Sequence, residues 1–259
     1  MTCAIYLPFR ESSPQNDKTI PSILYLSGLT CTDENVCFKA SAVFKKCFEN
    51  KLAFIAPDTS PRGANVEGEN DSWDFGTGAG FYCDALAEPW SKNYRMYSYI
   101  TKELMELLAV KFPCLDPTRR SITGHSMGGL GALTIALKNQ DMFKSVSAFA
   151  PICHPSVVPW GQKAFTGYLG SENKEEWVKY DPSELLVSLK GKVKFDDILI
   201  DVGTADSFLE PQLRPQDLEK AASDIGQKIT VRYQDGYDHS YYFIGSFIEE
   251  HVAFHAERL

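Results

Sequence analysis

The chain has 259 residues, 44% of them hydrophobic and 23% charged, and carries a formal net charge of −8. That length fits one large domain or two small ones, and it is enough to bury a substantial core. The composition excludes disordered and fibrous classes, and the acidic balance excludes a broad face for nucleic-acid phosphates.

From the N-terminus, Met1 to Arg10 has no basic start followed by an apolar run, so no signal peptide is expected. Short apolar runs rich in β-branched residues follow at 23–26, 52–56, 121–123, 145–150, 198–202 and 229–233. Several are closely followed by Gly or Pro, the pattern of strands buried on both faces. Between them lie helical patterns. In 93–111 the residues Tyr97, Ile100, Leu104, Leu107 and Leu108 keep 3–4 spacing, and Pro113 closes the segment. Further helices are expected at 130–137, Pro215–Ile225 and 241–259. Strands alternating with helices predict an α/β fold with a mostly parallel sheet. The stretch 59–90 shows no period and reads as a long functional loop, and 151–180 reads as a second irregular segment, able to cap a site. The least charged stretches, 121–137 and 145–162, are broken by Gly, Pro and His, so no membrane span is expected. The seven cysteines include no C-x-x-C pair; they read as mostly free thiols in a cytoplasmic protein.

The sharpest chemical signal is Gly124-His125-Ser126-Met127-Gly128, between the strand-like 121–123 and a helix. G-x-S-x-G in that setting is a nucleophile elbow: a sharp turn raises the serine above the sheet, and its flanking glycines make room. A serine needs a base, and the base needs an orienting acid, in the chain order Ser, acid, His. His239 follows the 229–233 strand on a turn, where such a base belongs. His154 precedes every plausible acid, and His251 and His255 read as a solvated or half-buried helix face. Asp206 lies in the loop after the 198–202 strand, better placed than Asp201 inside it or Asp196 and Asp197 before it. Asp235 and Asp238 read as turn caps. The oxyanion donors are then the backbone N–H groups of Met127 and Leu29, the latter freed to point inward by Gly28. The histidines form no ligand-spaced cluster beyond His251/His255, which lacks a third ligand, so neither a metal nor a cofactor is expected.

Five strings carry a resemblance: Leu26-Ser27-Gly28-Leu29-Thr30-Cys31-Thr32, Pro57-Asp58-Thr59-Ser60-Pro61-Arg62-Gly63, 71–82, 124–132 and 235–243. With them, the chain resembles the S-formylglutathione hydrolase (esterase D) family along nearly its whole length. The resemblance implies an α/β-hydrolase fold, a single domain over 1–259, and hydrolysis of a glutathione thioester to glutathione and formate, the last step of glutathione-dependent formaldehyde detoxification. It also implies side activity on small esters. It carries the family's triad onto Ser126, Asp206 and His239 and its oxyanion donors onto Leu29 and Met127. It sets Cys31 close to the active site as a thiol linked to sensitivity, and Trp160 near the substrate entrance. Trp73 and Phe75 read as packing of the long loop. Relatives usually carry an N-terminal extension ahead of the segment resembling 3–8, where this chain begins. A homodimer is compatible with this reading. The rival readings are a broad carboxylesterase on O-acyl substrates and a non-catalytic thiol-sensing or binding protein.

Overall fold

The computed structural model describes residues 1–8 and 20–259. Phe9 and Arg10, the end of the N-terminal stretch read above, lie outside the described residues. The apolar runs form strands β2 (Ile20–Leu26), β3 (Ala53–Pro57), β4 (Leu115–Gly124), β5 (Val146–Phe149), β6 (Ile198–Gly203) and β7 (Thr230–Gln234), preceded by β1 (Cys3–Tyr6). Among the described residues they make one sheet in the order β1-β3-β2-β4-β5-β6-β7, parallel except for β1, which runs antiparallel to β3. β3, β5 and β6 are buried at every residue, as strands covered on both faces must be.

The helices are α1 (Glu34–Lys39), α2 (Ala42–Glu49), α3 (Met96–Ser98), α4 (Leu104–Lys111), α5 (Met127–Lys138), α6 (Pro159–Leu169), α7 (Lys174–Val178), α8 (Pro182–Leu189), α9 (Pro215–Ile225) and α10 (Tyr241–Ala256). The connection β2→β3, through α1 and α2, steps one way along the sheet; β4→β5, through α5, steps the other. Right-handed crossovers in opposite directions put their helices on opposite faces. Accordingly α1 and α2 pack with α10, whereas α5 packs with α8 and α8 with α9. The reversal leaves a crevice beyond the C-terminal ends of β2 and β4, the place where open α/β sheets bind ligands. Their register pairs Leu26 with Gly124, so the loop after β2 emerges beside the G-x-S-x-G turn.

Three expectations need correction. The helix expected over 93–111 starts at Met96 and is interrupted by a π turn at Tyr99–Glu103. That wider turn shifts the helical phase, so Ile100, Leu104 and Leu108 face inward while Leu107 is 51% exposed. The 151–180 segment is largely helical, holding α6 and α7. Finally, His251 and His255 are not a solvated or half-buried face: they are 1% and 0% exposed. His251 bonds Ser147 Oγ at 2.8 Å and Asp201 Oδ2 at 3.2 Å, and His255 bonds Ser145 and Ser147 at 2.8 and 2.9 Å. Ser147 on β5, Ser145 just before it and Asp201 on β6 thus accommodate two imidazoles under α10.

The long loop 59–90 is held by side chains rather than by a ladder. Tyr168 on α6 accepts from Gly76 N–H and donates to Ala79 O, both at 2.9 Å, and Ser60 Oγ accepts from Gly78 N–H at 2.8 Å. The loop braces the β2 exit: Thr30 N–H donates to Gly78 O at 2.9 Å, and Tyr82 O–H to Ser27 O at 2.9 Å.

Candidate active site

The turn between β4 and α5 has the geometry its sequence calls for. Ser126 sits at φ +58°, ψ −120°, a backbone conformation costly for a residue with a Cβ, and caps the N-terminus of α5. Strain there persists only where the surroundings enforce it. They do: a Cβ on Gly124 would lie 2.2 Å from Gly128 O, and one on Gly128 would lie 1.9 Å from Leu26 O. His125 N–H donates to Leu26 O at 3.0 Å and Ser126 N–H to Phe149 O at 2.9 Å, fastening the turn to the strand on either side.

Asp206 follows β6 and His239 follows β7. Their loops are fastened together: Thr204 N–H donates to Gln234 O at 3.0 Å and Ala205 N–H to Tyr237 O at 2.9 Å. His239 Nδ1 and Asp206 Oδ2 are 2.5 Å apart, and Asp206 Oδ1 accepts from Phe208 N–H at 2.8 Å. With its side chain wholly buried, the carboxylate has one rotamer to occupy, and it presents the imidazole with Nε2 as the free acceptor. The His239 ring stands 4.5 Å from the ring of His125, the residue before Ser126. His125 is fully buried, and burial, reinforced by His239, holds its pKa well below the usual histidine range.

The competing acids are engaged elsewhere. Asp201 pairs with Arg232 at 2.5 Å and with His251, Asp196 with Arg258 at 3.0 Å, and Asp197 with Lys228 at 2.8 Å. Asp238 accepts from Ser240 N–H at 2.9 Å, and Asp235 bonds Thr204 Oγ1 at 3.3 Å, as turn residues do. His154 faces Asp217 at 2.9 Å and Glu184 at 3.5 Å in a separate cluster by α9.

Beside Ser126 lies the loop after β2. A Cβ on Gly28 would stand 3.1 Å from Ser126 Cβ and 3.2 Å from His125 Nδ1, a crowding that glycine avoids where the two segments approach. Thr30 at φ +67° and the bond from Cys31 N–H to Gly28 O, at 3.3 Å, close the loop on itself. Among the described residues, no protein acceptor takes the amide N–H of Leu29 or of Met127.

Cys31 is 8% exposed, and burial raises its thiol pKa; Tyr241 O–H donates to its sulfur at 3.7 Å. Trp160 is 7% exposed and packs its ring 4.7 Å from Phe208, whose own ring is 5.1 Å from His239. Trp73 leans edge-on against Trp160 at 5.8 Å and is 57% exposed, at the rim. Phe75 instead stacks on Tyr168 at 4.4 Å, as loop packing predicts. All seven candidate residues therefore meet at one edge of the sheet. Sequence reasoning did not single out His125 and Phe208 as neighbours of His239, or Tyr241 as a neighbour of His125 and Cys31. His125 lies inside the G-x-S-x-G motif and Tyr241 inside the 235–243 string, so both carried a signal, whereas Phe208 lies in none of these strings. Among the described residues no group of His, Cys, Asp and Glu is arranged to hold a metal.

A family model described as putative esterase matches residues 1–254. The S-formylglutathione hydrolase of Rattus norvegicus is 51% identical over 260 residues, covering 100% of this chain and 89% of the relative. That of Arabidopsis thaliana is 52% identical over 259 residues, covering 100% and 88%. The chain belongs to the S-formylglutathione hydrolase family. Within that family the enzyme from Agrobacterium tumefaciens has a solved structure with a TM-score of 0.91 and 47% identity, covering 99% of this chain and 89% of that one. A ferulic acid esterase at 18% identity and a TM-score of 0.72 shares the fold, an α/β-hydrolase sheet, with this S-formylglutathione hydrolase family member.

Proposed function

We propose that the protein is a serine thioesterase that hydrolyses S-formylglutathione to glutathione and formate, with side activity on small esters. The observation that carries this reading is the His239–Asp206 pair at 2.5 Å beside the strained turn that holds Ser126. His239 Nε2 takes the Ser126 proton as Oγ attacks the thioester carbonyl. Asp206 holds the Nδ1 proton and stabilises the imidazolium. The N–H groups of Leu29 and Met127 receive the oxyanion, aided by the positive end of α5. The tetrahedral intermediate expels glutathione thiolate, which takes the proton from His239, and leaves a formyl ester on Ser126. Water, losing its proton to His239, attacks that ester; formate departs and Ser126 regains its hydrogen. A formyl group carries no side chain, so the acyl side needs little room, in keeping with Phe208 packed against His239 and Trp160 packed behind Phe208.

Cys31 and Trp160 belong to the walls of this site rather than to its proton transfers. The seven cysteines are free thiols, which supports a reducing compartment such as the cytoplasm. Among the described residues no helix is long and apolar enough to cross a membrane. Residues 1–259 are best read as one domain serving this one site. Ser126→Ala is expected to abolish hydrolysis of S-formylglutathione while leaving the melting temperature within a few degrees of the parent. Turnover by that variant at the parent rate would refute the assignment of the nucleophile.

A further inference from the structure

Glutathione is much larger than the formyl group it carries, and it bears two carboxylates and one ammonium, a net negative charge. Attracting it to a protein of formal charge −8 calls for a local cation. A cavity of about 510 Å³, within the range of small-molecule sites, opens between the end of α1 and the start of α10. It is lined by Lys39, Ser240, Tyr241 and Tyr242. Ser240 is the neighbour of His239 in the chain. The Tyr241 ring lies 6.0 Å from His125, and its hydroxyl reaches Cys31 on the oxyanion loop, so one residue of the cavity wall also touches the segments on either side of the reacting centre.

Lys39 is the charged group of this cavity. Its Nζ stands 5.3 Å from the centre of the Tyr241 ring, a cation–π contact that holds the ammonium at the cavity wall. Among the described residues no carboxylate lies within ion-pair distance of it, whereas Lys163, near Trp73 and Trp160, is already taken by Asp74 and Ser72. An ammonium fixed by an aromatic face, unneutralised, and bordering a cavity with hydroxyl groups is suited to a carboxylate of a small peptide. Resting on the thioesterase reading above, we infer that this cavity is the glutathionyl subsite and that Lys39 binds a carboxylate of the peptide there. Lys39 is then a specificity residue, acting on the leaving group and not on the carbonyl.

The test compares S-formylglutathione with S-formyl-N-acetylcysteamine, which has the same reacting bond and no carboxylate. The parent enzyme is expected to favour the glutathione thioester in kcat/KM. Lys39→Ala is expected to reduce that preference about tenfold, the worth of one charged hydrogen bond, chiefly through KM. Lys39→Arg is expected to keep most of it. If the parent favours the glutathione thioester and Lys39→Ala retains the full preference, the subsite is wrong and the thioesterase reading stands. If the parent fails to hydrolyse S-formylglutathione at all, that reading falls and the subsite falls with it.

Discussion

Asp206 shows how much of the chemistry depends on one fixed tautomer. Its buried carboxylate bonds His239 Nδ1 with one oxygen and Phe208 N–H with the other, leaving the imidazole no alternative orientation toward it. Asparagine would fit the same space. If its amide NH₂ faced Nδ1, the imidazole proton would move to Nε2, and His239 could no longer accept the Ser126 proton. Asp206→Asn is therefore expected to lower kcat by about 10⁴, the size of the loss when the same swap fixes the wrong tautomer in a serine-protease triad. Steady-state kinetics on an aryl acetate would check it; a loss under tenfold would mean that another acid orients the histidine. The glycines of the elbow constrain in the same local way, since Gly124 and Gly128 have backbone oxygens where a Cβ would be.

At the scale of elements, the site depends on two loops held in step. Gly203 ends β6, and a Cβ there would lie 2.2 Å from Tyr237 O, in the loop that carries His239. Gly203→Ala must push the β6 and β7 loops apart and move Asp206 away from His239. The expected result is a loss of stability of about 1–3 kcal/mol, typical of overpacking, together with a fall in kcat. Gly245→Ala is the contrast: on α10 its Cβ would meet nothing closer than 3.9 Å, and both quantities should hold. Thermal melts and kinetics on the two variants decide it; equal behaviour would show that the close approach is not what aligns the pair. These loops also show what the sequence makes legible. The central strands stand out because burial on both faces demands unbroken apolar runs, and the elbow because its chemistry dictates residue types at fixed spacing. The four-residue β1, half-buried at the edge, is too short for any period to appear. The same holds for α1, with six residues, and for α2 and α8, with eight each. Lys39 gives no local signal because Tyr241, which holds it, arrives from the far end of the chain.

Across the whole molecule, the largest departure from expectation lies under α10. His251 and His255 looked like a polar helix face because their partners are more than a hundred residues away on β5, or fifty away on β6. Ser147 O–H donates to Thr123 at 2.8 Å, and Ser145 and Ser121 share a bond at 2.7 Å, so the network reaches from α10 across to β4. Both rings are buried, and burial lowers their pKa below 6.5, most strongly for His255; Asp201 partly offsets it for His251. His125 is depressed in the same way. An unfolded chain protonates all three near pH 6.5, while the folded chain keeps them neutral to lower pH. Between those limits the unfolded state binds more protons, so stability rises with pH. It should therefore be constant above about pH 7 and fall as pH drops below 6.5. Each ring that stays neutral contributes a slope approaching about 1.4 kcal/mol per pH unit. Denaturant melts from pH 8 to pH 5 would measure this slope directly. His255→Gln, which keeps a polar group between Ser145 and Ser147, is expected to lower stability at pH 7.5 yet reduce the slope by nearly one proton. A stability curve flat from pH 7 to pH 5, or an unchanged slope in that variant, would contradict the view that these buried imidazoles fold uncharged.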